Sequence, residues 1–421
     1  MKTADPELMR AINRFHVLDV IRRSGLISRV EIGERTELST TTISAITASL
    51  LDDELISTHH EGDLRNNSRG RPRVMLRLNP DAARIVGAKL ATNRLSFAVT
   101  NFQGDPVAEL TLPVRVDRLP SDVIVDLVED GVRRCVLNAG LTLSEIKTIA
   151  LALPGVIEHA TGKVRSSPLF RDADVPLKSA IEARLGIDAL VESDANAITI
   201  AQHWFGQARD CDDFVLVSIE EDLGLGVMHA GQLFRGAREL SLALGNMMMG
   251  SDPSTSERLS HIASERSILD ANHPDPRLRE AIRLGHGMSQ MRRLIEEGDT
   301  ELRAAASRAG KALGLAIANL VCLFAPPRVI LVGGGLVLED HLLDPLRTAL
   351  SQSLPPALES VLNLVVDDVG DALWARGAAA VALSELYGAP WGTTGPAYAG
   401  AQTIRHALNG RSPSNADRQV R

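Results

Sequence analysis

From Pro80 onward the sequence alternates between two textures. Runs dense in apolar and β-branched residues, at 84–90, 95–100, 148–153, 214–219 and 328–332, are separated by stretches with helical spacing, such as 120–139 and 176–185. Alternation of this kind over about 300 residues calls for an α/β architecture, because each helical stripe has to be buried against a sheet. At 421 residues the chain is long enough for two or three domains. Aromatic residues make up only 3% of it, so the core must rest on Leu, Val, Ile and Ala.

The first 80 residues follow another pattern. Leu8, Ile12, Phe15 and Leu18 fall near one face of an amphipathic helix over 8–24, and Gly25 supplies a stop. Ser28-Arg29-Val30-Glu31 has the spacing of a capping box, so a second helix should start there and end near Thr36. Ser39 is a good N-cap for a third helix over 40–52, with Ile43, Ile46 and Leu50 as its apolar stripe. Three short helices with tight connections make a helix-turn-helix unit. Val74, Leu76 and Leu78 then alternate as in a strand, behind a polar tip containing Gly62, Asn66, Asn67, Gly70 and Pro72. The reading for residues 1–80 is a winged helix-turn-helix.

A net charge of −8 would argue against a nucleic-acid partner if it were evenly spread. The first 80 residues, however, hold 12 Lys and Arg against 11 Asp and Glu, of 45 and 53 in the chain. Arg65, Arg69, Arg71, Arg73 and Arg77 follow one another with no acid between Leu64 and Pro80, a phosphate-contacting pattern. On the third helix the face opposite the apolar stripe carries Thr41, Ser44, Ala45 and Ala48, with Thr40 and Thr42 nearby. Small hydroxyl and methyl groups allow close approach to base edges. No Lys or Arg lies between Thr36 and Leu64, so Arg29 and the wing must meet the phosphates. Arg69-Gly70-Arg71-Pro72 suits insertion into a narrow minor groove. The expected DNA contacts are therefore Arg29, Thr40, Thr41, Thr42, Ser44, Arg69, Gly70 and Arg71. The competing reading is a structural helical cap with solvated arginines.

Cys135, Cys211 and Cys322 are far apart and form no zinc-ligand spacing. The longest apolar stretch, around 313–327, is interrupted by Asn319 and is too short to span a bilayer. A cytoplasmic protein with no membrane partner, no metal and no cofactor is expected. His59, His60 and His203 read as surface or core histidines, and Met247-Met248-Met249 as a buried strand. Residues 389–421, rich in Gly, Pro, Ser and Asn, read as a disordered tail.

Several blocks in order carry a resemblance. At the N-terminus they are Leu38-Ser39-Thr40-Thr41-Thr42-Ile43-Ser44 and Gly70-Arg71-Pro72. Later come Leu153-Pro154-Gly155, Val191-Glu192-Ser193-Asp194-Ala195-Asn196-Ala197, Gly231-Gln232-Leu233-Phe234-Arg235-Gly236-Ala237, Val332-Gly333-Gly334-Gly335 and Ala375-Arg376-Gly377-Ala378-Ala379. Together they resemble the regulators of the ROK family (repressors, ORFs, kinases), of the NagC/XylR type, over about residues 10–388. The resemblance implies an actin-like, ribonuclease-H-like fold of two α/β lobes around a sugar-binding cleft. Lobe one would span 81–198 with a closing helix at 372–388, and lobe two 199–371. It also implies a homodimer or homotetramer on a double-stranded DNA operator.

The kinase features of that family are eroded. The first phosphate loop, roughly D-x-G-G-T, is here Lys89-Leu90-Ala91-Thr92-Asn93. The second, usually G-T-G-x-G, is Glu220-Glu221-Asp222-Leu223-Gly224, three carboxylates where a triphosphate would sit. Only the turn Gly333–Gly335 survives. Asp194 of the family's E-N-D-A-N block is kept, with Ser193 beside it. The G-E-I-G-H block has become Leu242-Ala243-Leu244-Gly245-Asn246, and Ser260 replaces a further glutamate. Zinc ligands are missing from 252–260. Asp194, Ser193 and Asn246 are the expected effector contacts, although Asp194 could instead cap the helix that follows. The sequence thus reads as a non-enzymatic, sugar-responsive transcriptional regulator, repressing in sense. Two alternatives stand beside it: a regulator without a small-molecule effector, controlled by a partner protein, and an active sugar kinase.

Overall fold

The computed structural model describes residues 6–60 and 74–388, apart from 237, 251, 253 and 270. Three helices open it: α1 (Pro6–Ser24), α2 (Arg29–Thr36) and α3 (Thr40–Asp52). The capping box closes as its spacing dictates: Ser28 Oγ accepts from Glu31 N, and the Glu31 carboxylate accepts from Ser28 N at 2.9 Å. Ser39 Oγ likewise accepts from Thr42 N at 3.1 Å and fixes the start of α3. Strands β1 (Ile27–Ser28), β2 (Ile56–His60) and β3 (Val74–Leu78) form a small antiparallel sheet in the order β1-β3-β2. β1 escapes sequence reading because two residues carry no periodicity. The expected wing tip, with Arg69, Gly70 and Arg71, lies outside the described residues, as does the expected tail at 389–421.

Two five-stranded sheets follow. The first is built from β4 (Arg84–Leu90), β5 (Leu95–Thr100), β6 (Pro106–Leu112) and β7 (Ile146–Leu153). After a hairpin of β8 (Val156–Glu158) and β9 (Lys163–Ser166), β10 (Ala189–Ser193) completes the order β10-β7-β4-β5-β6. The second contains β11 (Phe214–Ile219), β12 (Leu223–His229) and β13 (Gln232–Leu233). A separate ribbon, β14 (Met248–Met249) with β15 (Glu257–Arg258), precedes β16 (Arg328–Val332) and β17 (Asn363–Val366), giving β13-β12-β11-β16-β17. Both sheets repeat one scheme: an antiparallel meander whose first strand pairs in parallel with the fourth, and the fourth with the fifth. The methionine run was expected to be a buried strand. Met248 and Met249 do form a strand, but Met248 is exposed, because this two-residue ribbon stands apart from the two large sheets.

Helices α4 (Ser121–Asn138) and α5 (Leu177–Leu185) are the crossovers of the first sheet. α6 (Asp194–Phe205) leaves β10 but packs against the second sheet, where a Cβ on Gly226 of β12 would strike Thr199. After β13 come the short helices α7 (Leu259–Ala263), α8 (Glu265–Ile268), α9 (Pro276–Arg283) and α10 (Gly287–Glu296). The long α11 (Thr300–Phe324) then packs on α12 (Asp340–Ser353), with α13 (Pro356–Glu359) behind it. The last helix, α14 (Asp371–Leu386), follows the second sheet but lies on the first, so α6 and α14 cross between the sheets. Gly87 of β4 makes this possible, since a side chain there would run into the backbone of Ala375 and Ala379. Gly87→Val should therefore cost roughly 1–3 kcal/mol or more, as overpacking does when the obstacle is backbone. An unshifted urea midpoint would mean that α14 is not seated here.

Of the described helices, α11 alone is long and apolar enough to cross a membrane. Asn319, read above as an interruption, lies on the exposed face with Lys311 and Leu315 and leaves the helix continuous. Its other face, including Ala309, Leu313, Ile317 and Val321, is buried in the core of the second sheet. A separate apolar cluster joins Val17, Leu18 and Ile21 of α1 to Trp204 of α6 and to Ala378, Val381 and Leu383 of α14. The opening helices are thus packed onto the crossing helices rather than hanging from a linker.

Candidate functional site

A cavity of 1280 Å³ lies between the two sheets, lined from both sides. Lys89, at the end of β4, is 5% exposed and donates to Asp194 Oδ2 at 2.8 Å. Its ammonium is also 3.7 Å from Glu220 and sits 3.6 Å from the centre of the Trp374 ring. One side chain thus links the first sheet, the start of α6, the loop after β11, and α14.

The second loop fills itself. Glu220 accepts from Gly334 N at 3.3 Å, so the surviving glycine turn gives an amide to the chain's own carboxylate. Glu221 accepts from Thr92 of the opposite loop and is 3.4 Å from Arg266. Asp222 accepts from Leu223 N at 2.8 Å. All three acids line the cavity. Glu265 lies behind them, where a Cβ on Gly334 would strike its carboxylate. Burial, together with the charges of Glu220 and Glu221, pushes the Glu265 carboxyl up to about 8. A phosphate chain placed here would meet Glu220, Glu221 and Asp222.

The three expected effector residues all line this cavity. Ser193, not Asp194, caps α6: its Oγ accepts from Asn196 N at 3.2 Å. Asp194 is the first residue of the helix, with Oδ1 on Ala195 N at 2.8 Å and Oδ2 on Lys89. Asn246 is exposed, and its Oδ1 accepts from Arg258 at 3.0 Å.

A second charged cluster lies just behind β10; Glu192 and Arg235 belong to blocks quoted above, but nothing in those blocks pairs them with His159 or Glu385. Glu192 is 2% exposed, accepts from Arg235 Nε at 2.7 Å and from Asn196 Nδ2 at 2.9 Å, and stands 3.1 Å from His159 Nδ1. His159 Nε2 is 3.6 Å from Glu385 of α14. Burial alone would lower the His159 pKa; the facing Glu192 and Glu385 carboxylates instead raise it to about 9. Burial would raise Glu192, and Arg235 and His159 overcome it and hold the carboxyl far below its ordinary range.

On the opening helices, Thr40, Thr41, Ser44, Ala45 and Ala48 are exposed. Ser44 Oγ donates to Thr40 O at 2.8 Å, leaving its oxygen free to accept. The Thr42 hydroxyl is turned to Ser39 at 2.8 Å. Arg29 is half-buried, and its Nε donates to Thr47 Oγ1 at 2.9 Å, which anchors α2 to α3. The module meets the rest of the chain through α1: Arg22 stacks over Trp204 at 4.4 Å, and Arg23 pairs with Asp212 at 2.7 Å. His203, 3% exposed, contacts that Asp212 at 2.8 Å and belongs to this junction. Among the described residues no group of three or more His, Cys, Asp and Glu is placed to hold a metal.

The ROK family model matches residues 93–385. The chain belongs to the ROK family. Two of its relatives are named regulators. The xylose repressor of Caldicellulosiruptor bescii is 24% identical over 401 residues, covering 91% of this chain and 98% of its own. The DNA-binding transcriptional dual regulator NagC of Escherichia coli K12 is 23% identical over 379 residues, covering 85% and 86%. Among solved structures, a ROK family transcriptional regulator homologous to the E. coli MLC protein superposes with a TM-score of 0.71, at 24% identity, over 90% of this chain and 97% of its own. The ROK family glucokinase of Streptomyces griseus, in complex with glucose and AMPPNP, reaches 0.59 at 20% identity, covering 71% of this chain and 99% of its own. The fold is that of a ROK regulator with an actin-like, sugar-kinase-like body, and the named relatives are regulators.

Proposed function

We infer that this ROK protein is a sequence-specific DNA-binding transcriptional regulator, repressing in sense. Residues 1–80 act as a winged helix-turn-helix, with α3 in the major groove and Arg69-Gly70-Arg71 at the wing tip. The remainder is divided into lobe one at 81–198 with the closing helix 372–388, and lobe two at 199–371. It serves as an effector-binding and oligomerising body that carries out no phosphorylation. A homodimer or homotetramer places two recognition helices on two half-sites, which one module of this size requires for tight binding. Arg29, Thr40, Thr41, Thr42 and Ser44 complete the DNA contacts. The observation that carries the reading is the exposed small-residue face of α3 on a module packed against the body. The self-filled phosphate loops support the non-enzymatic part.

Arg69→Ala with Arg71→Ala should weaken binding to any duplex and flatten the dependence of log K on log salt by about 2, since each phosphate contact contributes about 0.9 to that slope. A gel-shift series at several salt concentrations measures both. Unchanged affinity and slope would remove the wing from the mechanism.

A further inference from the structure

The part of the cavity away from Glu220 and Glu221 is lined by more arginines than carboxylates: Arg115, Arg118, Arg258 and Arg283 against Asp117, Asp194 and Asp222. A neutral sugar presents hydroxyls that need acceptors, and carboxylates ordinarily supply them. Here each Asp194 oxygen already accepts one bond, from Lys89 and from Ala195 N, and Ser193 Oγ accepts from Asn196 N while keeping its proton to donate. The Asn246 carbonyl already accepts from Arg258. Asp117 pairs with Arg115 at 3.6 Å. Asp222, beside Gly245, is the remaining acid on that side.

Two exposed arginines line this cavity from its two sides. Arg258 comes from β15, and its bond to Asn246 is to a neutral amide. Arg118 comes from the first lobe, where its backbone N donates to Pro168 O at 3.1 Å beside the Ser166–Ser167 turn. Arg118 holds φ at +50°, a left-handed conformation that costs a side-chain-bearing residue about 1 kcal/mol or more and concentrates at ligand clamps. Over the whole cavity seven Lys and Arg stand against six Asp and Glu, in a chain whose net charge is −8. Glu265, protonated near neutral pH, widens that surplus.

We propose that the cleft takes an anionic carbohydrate, a sugar-sized polyol bearing a carboxylate or a phosphate, with Arg118 and Arg258 closing on its charged group from the two lobes. This rests on the reading of the cleft as an effector site. Guanidinium forks match both oxyanions, while the hydroxyls of Ser166 and Ser167 and the amides around Gly155 suit a polyol chain.

The test uses the full chain and calorimetry at matched ionic strength. The probes are glucose, gluconate, glucuronate, glucose 6-phosphate, 6-phosphogluconate and inorganic phosphate. At least one sugar acid or sugar phosphate should bind at least tenfold more tightly than glucose, and gluconate against glucose 6-phosphate separates carboxylate from phosphate. The Arg118→Gln/Arg258→Gln variant should lose that discrimination while its ligand-free melting temperature stays unchanged. Glucose binding as tightly as every acid, no acid binding at all, or inorganic phosphate alone matching the sugar phosphates would each overturn the proposal. A gel shift with the same variant, free of ligand, tests the regulator reading separately: intact DNA binding with lost anion discrimination supports both, and lost DNA binding in the parent protein sinks only the regulator.

Discussion

Lys89→Met should lower the free energy of unfolding by about 3–5 kcal/mol, the range for breaking a buried ion pair by removing one partner. Methionine keeps most of the side-chain volume and its contact with Trp374, so the loss would be electrostatic. The substitution strands Asp194, whose side chain is 12% exposed, and leaves Glu220 facing Glu221 and Glu265 without the intervening cation. Some of the cost would be met by protonation of one carboxyl, which makes the loss larger at pH 8 than at pH 5. Asp194→Asn in the same chain should restore more than half of it, because the orphaned charge then disappears. Urea titrations of the four members of this cycle measure the coupling. A single-variant cost below about 1 kcal/mol would show that Lys89 is solvated like a surface pair and does not tie the two sheets together. The expected result would also give the lysine its role: its ammonium neutralises Asp194 and Glu220 where they meet in the cleft.

The parts legible in the sequence are those whose signal is local. α2 and α3 start within a residue of their expected caps because Ser28, Glu31 and Ser39 act on amides three residues away. The strands at 84–90, 95–100, 214–219 and 328–332 fall where they do because buried strands read as continuous apolar runs. The crossing of α6 and α14 is not legible. It depends on Gly87, Gly226 and Gly377, which look like ordinary glycines until a second helix is laid on them. In the cleft, residue type set Lys89 and three acids where the family's phosphate loops would be, but did not show that Lys89 would reach Asp194, 105 positions away. The same holds for His159, Glu192, Arg235 and Glu385. Glu192 and Arg235 stand in quoted blocks, and a glutamate near the end of the apolar strand Ala189–Ser193 needs a partner, but neither signal names His159 or Glu385 as one. Arg118 and Arg258 carry no spacing signal, because they line the cleft from segments 140 positions apart, one just before α4 and one in β15.

Stability should fall as pH rises from about 6.5 to 9, by about 3 kcal/mol from His159 alone. The folded chain holds the His159 proton up to about 9, whereas the unfolded chain releases it near 6.5. The contribution is therefore complete below pH 6.5 and is lost as pH climbs through 9. The groups around His159 are Glu192 of β10, Glu385 of α14 and Arg235 after β13; the two acids favour the charged ring and the arginine opposes it. Glu265 adds to the same slope from lower pH. Its folded pKa, about 8 against an ordinary 4.5, means that the folded state keeps a proton the unfolded state has lost, so stability declines across that interval as well. Glu192, Asp212 and Asp19 act in the opposite direction below pH 4, where their depressed carboxyls resist protonation in the fold and stability is lost as pH falls. The maximum should lie between about pH 5 and 6, on the acidic side of neutrality. Urea midpoints at pH 6, 7.5 and 9 measure the limb. Two variants divide it: His159→Gln should flatten the stretch from 7 to 9, and Glu265→Gln the stretch from 5 to 8. A parent protein equally stable at pH 6 and pH 9 would show that His159 carries no buried charge, and the ion cluster joining β10, α14 and the second sheet would have to be redrawn with a neutral ring.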